Sequence, residues 1–82
     1  MKIYKFKEKA NIIGERVRLA RQQLNISQTV LAARLQTEGI TIEQKAISRI
    51  EKQDRVVADY ELFYLAKVLH VDVQWLLTGE EK

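Results

Sequence analysis

Ser27-Gln28-Thr29-Val30-Leu31-Ala32 and Ile47-Ser48-Arg49-Ile50-Glu51 decide how this chain is read. Both have the composition of short helices, and a turn separates them. Stepping about 100° per residue from Ile47 leaves Ile50 and Glu51 within about 60° of it. Lys45 and Arg49 fall nearly opposite, Lys52 about 40° from opposite, and Ser48 on the flank. The second helix is therefore seated by two isoleucines and turns a hydroxyl and cations outward. Such a rod suits a polar, anionic partner, and the major groove of a DNA duplex is wide enough to admit it.

The flanking sequence supplies the caps. Ser27 is the N-cap of the second helix, with Ile26 placed to staple onto Leu31. Position N3 is Val30, so the capping box is incomplete. Leu31 and Leu35 form the inner side, and Gly39 is the expected left-handed residue after the helix. Thr41-Ile42-Glu43-Gln44 reads as a capping box that opens the third helix, which should run to about Lys52. Upstream, Asn11 is the expected cap of a first helix whose stripe is Ile13, Val17, Ala20 and Leu24, with Arg16 and Arg18 off it. Downstream, Asp59 should cap a fourth helix with Leu62, Leu65, Ala66 and Leu69 inward. Asp72 should cap a short fifth with Val73, Leu76 and Leu77 inward, ended by Gly79. Residues 1–10 form an arm that is either a short strand or loose, 11–79 the helical domain, and 80–82 a tail.

The chain has 82 residues, no cysteine and no proline. That suits one small domain with a modest core and no disulfide staples. The absence of cysteine fits a reducing compartment. With no apolar run long enough for a bilayer and no leader at the start, the expected location is the cytoplasm, on the nucleoid when bound. The net charge of +3 is unevenly placed: residues 1–55 hold 12 Lys/Arg against 6 Asp/Glu, and residues 56–82 hold 2 Lys against 5 Asp/Glu. A basic end facing a polyanion and an acidic end facing away would account for this.

The ordered set Ser27-Gln28, Leu31-Ala32, Leu35, Ile47-Ser48-Arg49-Ile50-Glu51, Arg55, Leu65-Ala66, Leu69, Val71 and Leu76-Leu77 resembles the lambda-repressor-like helix-turn-helix family, of the Cro/repressor or XRE type. The likeness spans most of the chain, from Ile12 to Leu77. It implies an all-α five-helix bundle whose second and third helices form the DNA-binding unit. It also implies a homodimer acting on a near-palindromic operator. By the same resemblance Gln28 meets the DNA backbone or the first base edge, and Glu43, Gln44, Lys45 and Arg49 read bases. Lys52 and Arg55 grip phosphate, and Arg21 pairs with Glu51. One departure stands out. Leu35 to Ile47 is several residues longer than the family's tight turn, which calls for an extra helical turn or a small loop around Gly39. It leaves open which of Thr41, Glu43 and Gln44 can touch a base.

Chemistry sharpens these roles. Arginine can bond guanine O6 and N7 together, and lysine can approach the same edge, which favours Arg49 and Lys45. Gln44 either bonds adenine or reaches back to the Thr41 cap. Glu43 suits the first turn of a helix electrostatically, or accepts from cytosine. Gln28 and Ser27 lie where helix amides attract phosphate. Trp75, Tyr60 and Tyr64 are expected in the core or a dimer surface. Tyr4 and Phe6 would pack on the bundle or a second subunit, or their neighbouring lysines track phosphate. His70 is the sole histidine, so neither a metal site nor a cofactor is expected. Ser27, Ser48 and His70 do not make a credible hydrolase set, and no enzymatic activity is expected.

The expected function is sequence-specific transcriptional regulation, by repression, on double-stranded DNA. No sensor domain follows Gly79, so no small-molecule effector is expected. Two rivals are a protein-interaction module of the same fold, such as an antitoxin or bridging subunit, and the DNA-binding part of a longer regulator.

Overall fold

The computed structural model describes residues 5–80. Lys2, Ile3 and Tyr4 of the arm, and Glu81 and Lys82 of the tail, lie outside the described residues. Five helices follow in order: α1 (Gly14–Gln23), α2 (Gln28–Thr37), α3 (Gln44–Glu51), α4 (Asp59–Leu69) and α5 (Val73–Thr78). The architecture is all-α, and α3 packs between α1 and α2 while α4 closes the bundle and carries α5.

Asn11 starts α1 from outside it. Its Oδ1 accepts the amides of Ile13 (3.2 Å) and Gly14 (2.9 Å), so it satisfies two of the donors that a helix start leaves unpaired. The helix itself begins three residues after Asn11, with Ile13 at the N-cap position. Ser27 caps α2 by accepting the Val30 amide at 3.1 Å. The end of α2 is a Schellman motif: Gly39 N–H donates to Gln36 O and Ile40 N–H to Leu35 O. Gly39 sits at φ 83°, where any side chain would be strained.

The lengthened connection is a loop, residues 38–43, rather than an added turn of helix. Here the expected Thr41 capping box is corrected. Ile42 is buried as a plug, Thr41 is turned to solvent, and α3 opens at Gln44 with Glu43 as an N-cap that makes no side-chain bond. Burying Ile42 removes apolar area from water, and a capping box at Thr41 would leave it in the helix's first turn.

One further helix start and one core residue are also corrected. The N-cap of α4 is Ala58, not Asp59. Glu61 at N3 accepts the Ala58 amide at 3.0 Å, half of a capping box with no oxygen on Ala58 to reciprocate. Asp72 is at the N-cap of α5 but makes no cap bond. Leu77, expected inward, is exposed, because a six-residue helix buries one row and Leu76 occupies it.

Among the described residues thirteen apolar side chains form one core, including Val17, Leu31, Leu35, Ile47, Ile50, Leu65, Leu69 and Leu76, all essentially inaccessible to water. Each buried Val, Leu or Ile contributes about 1.5–3 kcal/mol, against the entropy of ordering the chain. Trp75 and Tyr64 pack on this core, whereas Tyr60 is exposed. The arm residues 5–10 are neither strand nor loose: Phe6 and Lys9 exchange backbone hydrogen bonds around a tight turn, and Ala10 N–H donates to Gln53 O. Phe6 is exposed.

The start of α1 and the end of α3 are bound together. Asn11 Nδ2 donates to Ile50 O (3.1 Å) and Arg55 O (2.8 Å), and Gln53 Nε2 donates to Asn11 O (3.3 Å). At the crossing stands Gly14, buried, with no room for a Cβ beside the carbonyls of Ile50 and Glu51.

Candidate nucleic-acid interface

The face of α3 opposite its isoleucines is the candidate surface. Ile47 and Ile50 are 0% exposed, which fixes the helix's rotation and turns Gln44, Lys45 and Arg49 outward into solvent. Ser48 is half-buried on the flank and Lys52 exposed at the end. Arg49 Nη2 makes a long bond to Asp54 O (3.3 Å), which leans the guanidinium toward the following loop without burying it.

Beneath this face runs a chain of side-chain hydrogen bonds. Arg21 of α1 grips Glu51 of α3 with two bonds, Nε to Oε2 at 2.7 Å and Nη2 to Oε1 at 3.0 Å, while its Nη1 donates to Ile26 O at 2.9 Å. The Glu51 side chain is 5% exposed and that of Arg21 13%. Glu51's hydrogen bond holds the guanidinium above its ordinary pKa; partial burial works against this and the carboxylate's charge reinforces it. Glu51 Oε1 also accepts from Gln28 Nε2 at 3.0 Å, and Gln28 Oε1 accepts from Gln44 Nε2 at 2.6 Å. The two glutamines, expected to meet DNA separately, are thus joined to each other. Gln44 does not reach back to Thr41.

Arg18, Arg21, Gln28, Ser48, Glu51 and Lys52 line one cleft between α1 and α3, at the N-terminus of α2. Arg18 has no assigned role in the sequence beyond lying off the α1 stripe; its place beside Lys52 depends on how α1 crosses α3. Ser27 spends an acceptor on the Val30 amide. Glu43 stands exposed at the α3 N-cap, where helix amides favour a carboxylate.

Arg55, expected at phosphate, is half-buried and bonded to Glu61. Its Nη1 bonds Glu61 Oε1 at 2.9 Å and Nη2 bonds Glu61 Oε2 at 3.2 Å. Burial pushes the Glu61 carboxyl up, but the Arg55 hydrogen bonds, the Ala58 amide and the Arg55 charge together leave it below the usual carboxylate value. A third pair, Lys67 with Glu38 at 2.7 Å, links α4 to the C-cap of α2. Arg16, also off the α1 stripe, donates to Trp75 O at 3.1 Å and so holds α5. Among the described residues no group of three His, Cys, Asp or Glu side chains could hold a metal ion, and no helix is long and apolar enough to cross a membrane.

Two helices packed at the core, the second seated by apolar residues and showing donors outward, define a helix-turn-helix unit. Comparison with known proteins agrees. The helix-turn-helix family matches residues 17–76. The HTH-type transcriptional regulator DicA of Escherichia coli (strain K12) is 36% identical over 69 residues, which cover 84% of this chain and 47% of DicA. The chain thus spans about half the length of that curated relative. Among solved structures, the P22 c2 repressor protein in complex with synthetic operator 9T superposes with a TM-score of 0.73 at 28% identity, covering 85% of this chain and 98% of the other. The DNA-binding domain of BldD gives 0.68 at 27% identity, covering 94% and 99%. The chain belongs to the lambda-repressor-like, XRE-type helix-turn-helix family.

Proposed function

We propose that this chain is a sequence-specific DNA-binding transcriptional regulator that represses by occupying a near-palindromic operator as a homodimer. The observation that carries the reading is the rotation of α3: Ile47 and Ile50 are wholly buried while Gln44, Lys45 and Arg49 face solvent on one side. The similarity to a repressor solved on its operator supports DNA as the partner, and the similarity to DicA supports transcription as the process. In this reading α3 enters the major groove, with Arg49 and Lys45 at guanine edges and Gln44 at adenine. Gln28 and Ser27 meet the backbone where the α2 amides point outward. Lys52 and Arg18, at the mouth of the cleft, neutralise phosphates on either side, and Ser48 donates from the flank. Glu43 would favour the start of α3 electrostatically, or accept from a cytosine amino group. Arg55 holds the loop after α3 through Glu61 and offers its remaining surface to the backbone. Two domains related by a two-fold axis would read half-sites about one helical turn apart. The site of action is the cytoplasm, on the chromosome.

The test is selection of bound duplexes from a random pool, with Arg49→Ala alongside. The expected result is a two-fold symmetric motif that weakens at one base pair per half-site in the variant, by about 1–3 kcal/mol. Binding should also weaken steeply with salt, the slope counting the phosphates neutralised. A pool left unenriched, with salt-insensitive or absent duplex binding, would favour a protein-interaction module instead.

A further inference from the structure

We propose that the Arg21–Glu51 ion pair is a positioning device for base reading: it sets the direction of the Gln28 amide, and through it the end of the Gln44 amide presented to a base. The inference rests on the reading of α3 as a major-groove helix.

Hydrogen-bond polarity fixes these directions. An ionised carboxylate only accepts, while an amide side chain has a donor end and an acceptor end. Glu51 is ionised, since Arg21 approaches both of its oxygens with donors. The Gln28 end that touches Glu51 must therefore be the NH2 group, as found at 3.0 Å. The other end of Gln28 is then necessarily its carbonyl oxygen, which can only receive. Gln44 must in turn meet it with its own NH2 group, as found at 2.6 Å. Turning the Gln44 amide over would set two carbonyl oxygens against each other. The carboxylate thus dictates, two side chains away, that Gln44 keeps its oxygen and one N–H for an outside partner. An oxygen beside an N–H is the complement of adenine, which offers the N6 amino group and N7 side by side.

Arg21 and Glu51 do not face the groove, being 13% and 5% exposed, so they act only through the glutamines. Without the carboxylate the direction is lost. In Glu51→Gln the side chain at 51 can still accept from Arg21, but it can also donate. Gln28 can then take either orientation, and Gln44 with it.

The experiment measures binding of wild type, Glu51→Gln, Gln28→Leu and Gln44→Ala to a selected duplex and its single-base-pair variants, with melting temperatures recorded. Wild type should favour A·T at the Gln44 position by roughly five- to 150-fold, the range for one bidentate contact. In Glu51→Gln that preference should fall several-fold, with preferences at the Arg49 and Lys45 positions kept, and Gln44→Ala added to it should remove what remains at that base pair and nothing elsewhere. Gln28→Leu, which leaves the ion pair intact, should lose preference at the same base pair, and it decides the matter if Glu51→Gln unfolds. In the free protein, Glu51→Gln should shift the side-chain amide NMR signals of Gln44 as well as those of Gln28. A selecting wild type with an unchanged Glu51→Gln profile, or equal weakening at every base pair, overturns the inference alone. A wild type that selects no sequence overturns the functional reading, and this inference with it.

Discussion

Gly14→Ala should destabilise the domain, although helix propensity taken alone argues the reverse. Gly14 is the first residue of α1 and takes a helical conformation, where alanine is better than glycine by up to about 1 kcal/mol. Were space available, the substitution would raise the melting temperature by about 4–8 °C for a domain of this size. Space is not available. A Cβ there would overlap the Ile50 carbonyl oxygen and would stand 2.7 Å from Gln53 Cγ and 3.0 Å from the Glu51 carbonyl oxygen. Gln53 can swing away; the two carbonyls cannot, because they belong to the last turn of α3 and Asn11 Nδ2 already holds the Ile50 oxygen. Overpacking against a well-filled interior costs about 1–3 kcal/mol, and a backbone obstacle belongs at the upper end. The clash therefore exceeds the propensity gain by about 1–2 kcal/mol, a fall of roughly 4–16 °C. Thermal unfolding followed by circular dichroism reads this directly. Gln53→Ala added to Gly14→Ala should recover little. A Gly14→Ala protein that melts above wild type would refute the close approach of α1 and α3.

Other substitutions separate the remaining contributions. Arg21→Ala strands the nearly buried Glu51 with Gln28 as its remaining side-chain donor, and should cost about 3 kcal/mol, the low end for a broken buried pair. Glu51→Ala should cost less, since Arg21 is more exposed and keeps its bond to Ile26 O; equal melting temperatures for the two variants and wild type would remove the pair from the stability account. The Glu61 carboxyl titrates lower in the folded chain than in the unfolded one, so the unfolded state takes up the proton first. Its contribution is present above the ordinary glutamate pKa and is lost as pH falls through the folded value. Glu61→Gln should therefore flatten the acid side of a melting-temperature-against-pH profile and leave its alkaline side unchanged in shape. Asn11→Ala should cost about 2 kcal/mol, an N-cap's worth together with the lost carbonyl contacts. Asn11→Asp should fail to rescue it, because its carboxylate keeps the capping oxygen but faces the Ile50 and Arg55 carbonyls with no donor. Urea unfolding measures both.

What the sequence reveals is what neighbouring residues settle among themselves. The apolar spacing in α1, α3 and α4 follows from helix geometry, and Ser27 and Gly39 signal their caps chemically. Thr41 misleads because its four-residue pattern matches a capping box, while the deciding fact is that Ile42 finds a place in the core. Asp59 misleads because a good capping residue lies one position inside the helix, with Glu61 doing the capping from N3. Leu77 fails by the shortness of α5. At the candidate interface the outward direction of Lys45 and Arg49 follows from the two isoleucines. The Gln28–Gln44 contact spans 16 positions, and the Asn11 contacts span 39 and 44. No local rule encodes such distances. Arg55 and Glu61 are six apart, but a loop lies between them, so helical spacing says nothing of their meeting.

The mutual grip of segments 10–14 and 50–55 has a mechanical consequence. Base edges succeed one another every 3.4 Å or so along a duplex strand, so a probe that rocked by a fraction of that step would blur neighbouring letters. Four hydrogen bonds and a side-chain-free crossing join the far end of α3 to the start of α1. For α3 acting as the reading helix proposed above, register along a duplex would then be set by α1 and α3 together.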